Sequence, residues 1–264
     1  MQLIIMLIAL TLSTTPFVSQ AGSDLEREKR LAIEVGDDLL DGESVYLNTA
    51  QGHSFLSIDT STDTTPAKGN AIILHGRGYH PNHPTVAYPL RTGLIEKGWN
   101  TLSIQLPVLA KTAKYYDYVP IFPEAFGRIN AAILYMKEQY GGKVVLIAHS
   151  CGSHMSSAWI RHRGSNDQGI QAYVGIGMGA TDYQQKMHKP FALDLIKSPI
   201  LDVYGSEEYS AVLRMAPSRL ALIKRAGNPL SAQKVILGAD HDFHGEQASE
   251  ELVDAISDWL DTLN

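Results

Sequence analysis

The feature that most constrains this chain is a run of four apolar residues, Val144-Val145-Leu146-Ile147, that stops at Ala148-His149-Ser150-Cys151-Gly152. The run is apolar at every position and partly β-branched, the pattern of a strand buried on both faces. Helix-like sequence from Ser153 to Arg161 follows at once. A strand that gives way to a helix so quickly leaves its serine on a sharp turn, where the positions two away must be small. Ala148 and Gly152 meet that demand, Ala148 with one methyl group more than the usual glycine. Two readings of Ser150 stand at this point. It caps the helix, as serine commonly does, or it is a nucleophile held at the strand end.

The rest of the chain alternates strand and helix patterns around this point. Charged sequence with helical spacing covers 23–34, and two short strands, 43–48 and 54–59, form a hairpin around Gln51-Gly52. A Thr-, Asp- and Pro-rich loop leads to a buried strand at 70–74. Beyond it the spacing predicts helices over 84–97, 123–140, 211–226 and 246–263, and strands over 99–106, 170–178, 199–204 and 234–237. The 179–197 segment has no clear period. Strands separated by helices imply an α/β fold: a mainly parallel central sheet with helices on both faces, preceded by the antiparallel hairpin.

With 264 residues the chain has ample length for one large core. The net charge of −6 and the lack of a basic run argue against a nucleic-acid partner. Leu3 to Leu12 is almost wholly apolar, and Ser19-Gln20-Ala21 supplies a small-x-small cleavage pattern before Gly22. Residues 1–21 therefore read as a signal peptide and the mature chain as an exported protein, periplasmic or secreted. The apolar stretch is too short to span a bilayer, so no transmembrane segment is expected after cleavage. Cys151 is the only cysteine, which excludes an intrachain disulfide.

In a parallel sheet, ligand sites form at the C-terminal ends of the strands. The polar residues there are His75-Gly76-Arg77-Gly78, His149-Ser150, Gly205-Ser206-Glu207-Glu208 and Asp240-His241-Asp242-Phe243-His244. A serine attacks well only when a base takes its proton and an acid orients that base. Ser150, Glu208 and His241 stand in the order Ser, acid, His. That order and spacing resemble the α/β-hydrolase family. The motifs His75-Gly76-Arg77-Gly78-Tyr79-His80-Pro81, Leu102-Ser103-Ile104-Gln105-Leu106-Pro107 and His149-Ser150-Cys151-Gly152 look like those of exported bacterial α/β-hydrolase-like proteins without an established substrate. The resemblance runs from about Glu43 to Leu263 and implies one α/β-hydrolase domain over 22–264.

By that resemblance Ser150 is the nucleophile, His241 the base and Glu208 the acid. The backbone N–H groups of Arg77 and Cys151 form the oxyanion hole, and no cofactor is required. The acid has rivals in Glu207, in Asp182 and in mid-strand Asp202, and the base has one in His244. Cys151 invites a thiol mechanism, but its side chain is expected to point away from the cleft if Ser150 points in. The Arg77 side chain either meets a substrate anion or forms a salt bridge. His80 and His83 have metal-ligand spacing without an obvious third ligand, so no metal is expected. Tyr115, Tyr116 and Tyr118 lie in a loop expected to overhang the site and bind substrate, or simply to pack locally. The implied activity is hydrolysis of an ester, thioester or amide, with a small-molecule or acyl substrate. The rival is a catalytically idle binding or assembly factor of the cell envelope. Substrate identity and oligomeric state do not follow from the sequence.

Overall fold

The computed structural model describes residues 22–164 and 168–263. The expected signal segment lies outside them. Eight strands form one sheet: β1 (Glu43–Asn48), β2 (Ser54–Thr60), β3 (Gly69–Leu74), β4 (Trp99–Ile104), β5 (Val144–His149), β6 (Ala172–Ile176), β7 (Ile200–Gly205) and β8 (Ala232–Ile236). Their order is β1-β2-β4-β3-β5-β6-β7-β8. The β1–β2 hairpin joins antiparallel through β2 to β4, and every later pair is parallel. Among the described residues seven α-helices accompany the strands: α1 (Leu25–Asp37), α2 (Ala87–Glu96), α3 (Tyr115–Tyr118), α4 (Glu124–Gln139), α5 (Cys151–Arg163), α6 (Ser210–Ala226) and α7 (Glu246–Asp261).

The unbroken apolar runs of the central strands follow from this architecture, because side chains alternate between two covered faces. Ile72, Leu74, Leu146 and Ala148 pack toward α4, α5 and α6, with Ile129, Met155 and Ile223 among their partners. Ala71, Ile73, Val145 and Ile147 pack on the other face toward α2 and α7, with Leu90, Leu94, Leu252 and Ile256. Ala148 stands opposite Gly175 in β6, and the space a Cβ would take there is filled by the Met178 side chain.

Element positions follow the periodicity closely, and the differences have local causes. The strand expected over 99–106 ends at Ile104, because the amide of Leu106 leaves the ladder and donates to Nε2 of His75 (2.9 Å). The tyrosine segment expected as a loop folds into α3 followed by a 3-10 turn at Val119–Ile121. Asp117 accepts the amide of Lys114 (2.7 Å), which closes its first turn. The 182–192 stretch is mostly irregular, and it is tied by hydrogen bonds to α3 and α5.

Candidate active site

Ser150 sits between β5 and α5 with φ 50° and ψ −113°, a left-handed conformation uncommon outside glycine. The turn closes because Gly152 has no side chain: a Cβ there would lie 2.7 Å from the carbonyl oxygen of His75. Its hydroxyl does not cap α5. Instead Ser150 Oγ and His241 Nε2 are 2.8 Å apart, and His241 Nδ1 lies 2.7 Å from Glu208 Oε2. The same carboxylate oxygen accepts the amide of Tyr209 (3.1 Å). All three residues are buried. With Glu208 accepting from Nδ1–H, Nε2 is left as the lone-pair nitrogen facing the serine.

Three strand-end loops are thereby drawn together, and two further contacts hold them. His149 Nε2–H donates to the carbonyl of His241 (3.0 Å), which joins the β5 end to the loop carrying His241. Burial, with the nearby His241 ring adding to it, holds His149 well below the ordinary imidazole range, so it stays neutral. Gly177 follows β6 at φ +57°, and a Cβ there would lie 2.7 Å from Glu208 Oε1 and 2.9 Å from His241 Cε1. The acid and base are packed against bare backbone.

The rival carboxylates are engaged elsewhere. Glu207 is exposed. Asp182 receives a forked ion pair from Arg77 (2.6 and 3.3 Å) and the amide of Tyr115 (2.6 Å). Burial alone would raise its pKa, but the hydrogen bonds from Arg77 and Tyr115 outweigh that and hold it below the usual range. Asp202 is fully buried against Arg219 Nε (2.8 Å) and Gln233 (2.7 Å). Burial raises the Asp202 carboxyl, and the Arg219 charge offsets part of that rise. His244 pairs with Asp240 (2.7 Å) at the surface and leaves His241 alone at the serine.

A cavity of about 120 Å³ opens at Ser150, bordered by Arg77, Tyr79, Tyr115, His154, Tyr209 and Asp242 among others. Cys151 also borders it. Cys151 is the first residue of α5, so its N–H has no intrahelical acceptor. The Arg77 amide stands in the loop after β3, where His75 is fastened by its own hydrogen bonds to the Gly76 carbonyl and the Leu106 amide. Arg77 and Cys151, whose amides the sequence resemblance offers as oxyanion donors, thus both line the cavity at Ser150.

Cys151 lies nearer the cavity than the sequence suggests, yet burial pushes its thiol up to about 12. That leaves it protonated and a poor nucleophile. Of the three tyrosines expected over the site, the cavity takes only Tyr115. Tyr118 is buried away from Ser150 with its hydroxyl accepting the Leu109 amide (2.9 Å), and Tyr116 is half exposed, donating to the Lys186 carbonyl (2.9 Å). The helical turn of α3 separates their side chains, whereas a loop could have aimed all three inward. Tyr209, which the sequence reading did not single out, packs its ring 4.5 Å from that of His241. Its place directly after Glu208 was the available signal. His83 stacks on Tyr79 at 3.5 Å, and among the described residues no three metal-ligating side chains converge.

The family described as "Protein of unknown function (DUF3530)" matches residues 11–118. No curated protein matches the chain in sequence. Solved structures do resemble it. An esterase from Pyrococcus furiosus is 17% identical, superposes with a TM-score of 0.62, and the match covers 86% of this chain and 95% of that one. A serine hydrolase without a lid from Xanthomonas campestris is 13% identical over 85% of this chain and 95% of its own, with a TM-score of 0.61. An alpha-beta serine hydrolase homologue from Coxiella burnetii is 18% identical over 86% and 99%, with a TM-score of 0.58. Sheet order, connection pattern and these likenesses agree: the chain has the α/β-hydrolase fold.

Proposed function

We propose that the protein is a serine hydrolase that cleaves an ester, thioester or amide through an acyl-enzyme on Ser150. The observation that carries this reading is the unbroken relay from Ser150 through His241 to Glu208, with contacts of 2.8 and 2.7 Å. In the first half-reaction Ser150 Oγ bonds to the substrate carbonyl carbon while its proton passes to His241 Nε2. The carbonyl oxygen becomes an oxyanion facing the amides of Arg77 and Cys151. The C–X bond then breaks and His241 returns the proton to the leaving group. In the second half-reaction water loses a proton to His241, attacks the acyl carbon and releases the acid, restoring Ser150. Glu208 keeps the imidazole in the correct tautomer and stabilises the imidazolium.

Among the described residues no helix is long and apolar enough to cross a membrane. On the apolar run and the Ser19-Gln20-Ala21 site we place the mature N-terminus at Gly22, outside the cytoplasm. A fluorophosphonate probe tests the chemistry. Wild type and Cys151→Ala are expected to label and Ser150→Ala is not. Labelling that survives Ser150→Ala and disappears in Cys151→Ala would move the chemistry to the thiol. A wild type that never labels would leave a binding protein on a hydrolase fold.

A further inference from the structure

The cavity at Ser150 is too small for most ligands, since sites for small molecules run from about 300 to 1,000 Å³. A second cavity of about 360 Å³ adjoins it across Tyr115 and His154, which line both. Its walls are apolar and aromatic: Val119, Phe122, Phe126, Ala158 and Phe191. The shared rings are packed together, His154 tilted against Tyr115 at 4.9 Å and stacked on Phe191 at 5.1 Å, so an arm running from one cavity to the other passes over this wall rather than between its rings. Burial lowers His154 to about 4, so this wall is uncharged at neutral pH.

The far rim has a different character. Arg161 and Lys189 line the cavity and no aspartate or glutamate does, although the chain carries 28 acidic residues against 22 basic ones. Arg161 is held at the rim by donating to the Pro190 carbonyl (2.5 Å). Helix α5 supplies the link between the two ends. His154, Ala158 and Arg161 follow one another at helical spacing along a single face, and all three line the cavity. From Ser150 to Arg161 the helix rises about 16 Å, roughly thirteen carbons of extended chain, and because helical side chains lean toward the N-terminus the arm needed to reach Arg161 is shorter, about ten carbons.

We propose that the substrate is an anionic amphiphile: an ester whose carbonyl sits at Ser150, whose apolar arm lies among Phe122, Phe126 and Phe191, and whose terminal acidic group meets Arg161 and Lys189. This rests on the acyl-enzyme reading of Ser150 and adds to it the class of acyl group. An uncharged acyl chain of the same length would fill the aromatic cavity but leave the basic rim unmatched. Discrimination therefore resides in the charge at the end of the arm.

The test compares three p-nitrophenyl esters: the acetate, the decanoate and the sebacate half-ester, which differs from the decanoate by a terminal carboxylate. Wild type is expected to favour the half-ester over the decanoate by about tenfold or more in kcat/KM, as a charge-assisted contact implies. The double variant Arg161→Gln/Lys189→Gln, altered only at exposed side chains, is expected to abolish that preference and leave acetate hydrolysis unchanged. Ala158→Phe, which fills the cavity, should lose both long esters and keep the acetate. A binding arm separates this proposal from the catalytic one. Calorimetry of Ser150→Ala with methyl hydrogen sebacate, which needs no turnover, is expected to show binding that the added double substitution removes. Binding without hydrolysis of any ester by wild type would support the cavity and sink the serine mechanism. Acetate hydrolysis with equal handling of decanoate and half-ester would overturn the proposal and leave Ser150 in place.

Discussion

Glu208 and Glu207 are adjacent, chemically identical and set in different surroundings. Glu208 is buried against His241 and the Tyr209 amide, while Glu207 faces solvent. Replacing Glu208 with glutamine keeps the shape but presents an amide to Nδ1, which favours the wrong imidazole tautomer. Glu208→Gln is expected to lower kcat for an activated ester by up to about 10⁴-fold, the size known for a mistuned triad. Glu207→Gln should change it little. Asp182→Asn should act differently again, through KM, because its partner is the Arg77 fork rather than the imidazole. Steady-state kinetics on the three variants decides, and a dead Asp182→Asn beside an active Glu208→Gln would reassign the acid. Candidate residues of this kind are legible in a sequence because each follows a recognisable strand by a few positions. What Asp182 does was not legible, since its partner Arg77 is 105 residues away and nothing local marks the pair.

At the scale of elements, the site depends on how closely strand ends approach one another. Gly177 is one of the close points, where the turn after β6 passes beside both Glu208 and His241. Gly177→Ala meets two penalties: a side chain at φ +57°, and a methyl group 2.7 Å from Glu208 Oε1. A left-handed residue other than glycine costs about 1–2 kcal/mol. Shifting the imidazole by a fraction of an ångström is expected to lower kcat about 100-fold, as small misplacements of reacting groups do. Thermal denaturation beside kinetics checks this: Tm should fall modestly and kcat steeply, and an unchanged kcat would show that the contact yields without moving His241. Apolar runs and 3.6-residue periods suffice to locate the strands and long helices. They give no warning of α3, a single turn stabilised by one carboxylate–amide bond, or of the tie of 182–192 to it. Such short elements draw their stability from tertiary contacts that a local pattern does not contain.

For the whole molecule, the notable arrangement is at the N-terminal end of the described chain. Helix α1 lies across loops from the middle of the sequence. Arg27 donates to the carbonyls of Gly78 (2.8 Å) and Leu109, and Glu28 forms a buried, two-pronged ion pair with Arg128 (2.9 and 3.0 Å). Gly78 belongs to the loop whose Arg77 amide borders the Ser150 cavity. Arg128→Met would strand the Glu28 carboxylate in an apolar setting and is expected to cost about 3–5 kcal/mol. The double variant Glu28→Leu/Arg128→Met should recover most of that loss. Denaturant unfolding of the set tests it, and a single variant as stable as wild type would show that the pair is not effectively buried.

Timing follows from those contacts. Helix α1 comes early in synthesis, but its partners lie 51, 82 and 100 residues further along the chain. It cannot dock until α4 exists and the central strands have begun to pair. The loop that carries Arg77 is therefore fastened only once α4 has been made. All three partners nevertheless precede Ser150 in the chain, so in a nascent chain α1 can clasp that loop before the strand that ends at the serine has been made.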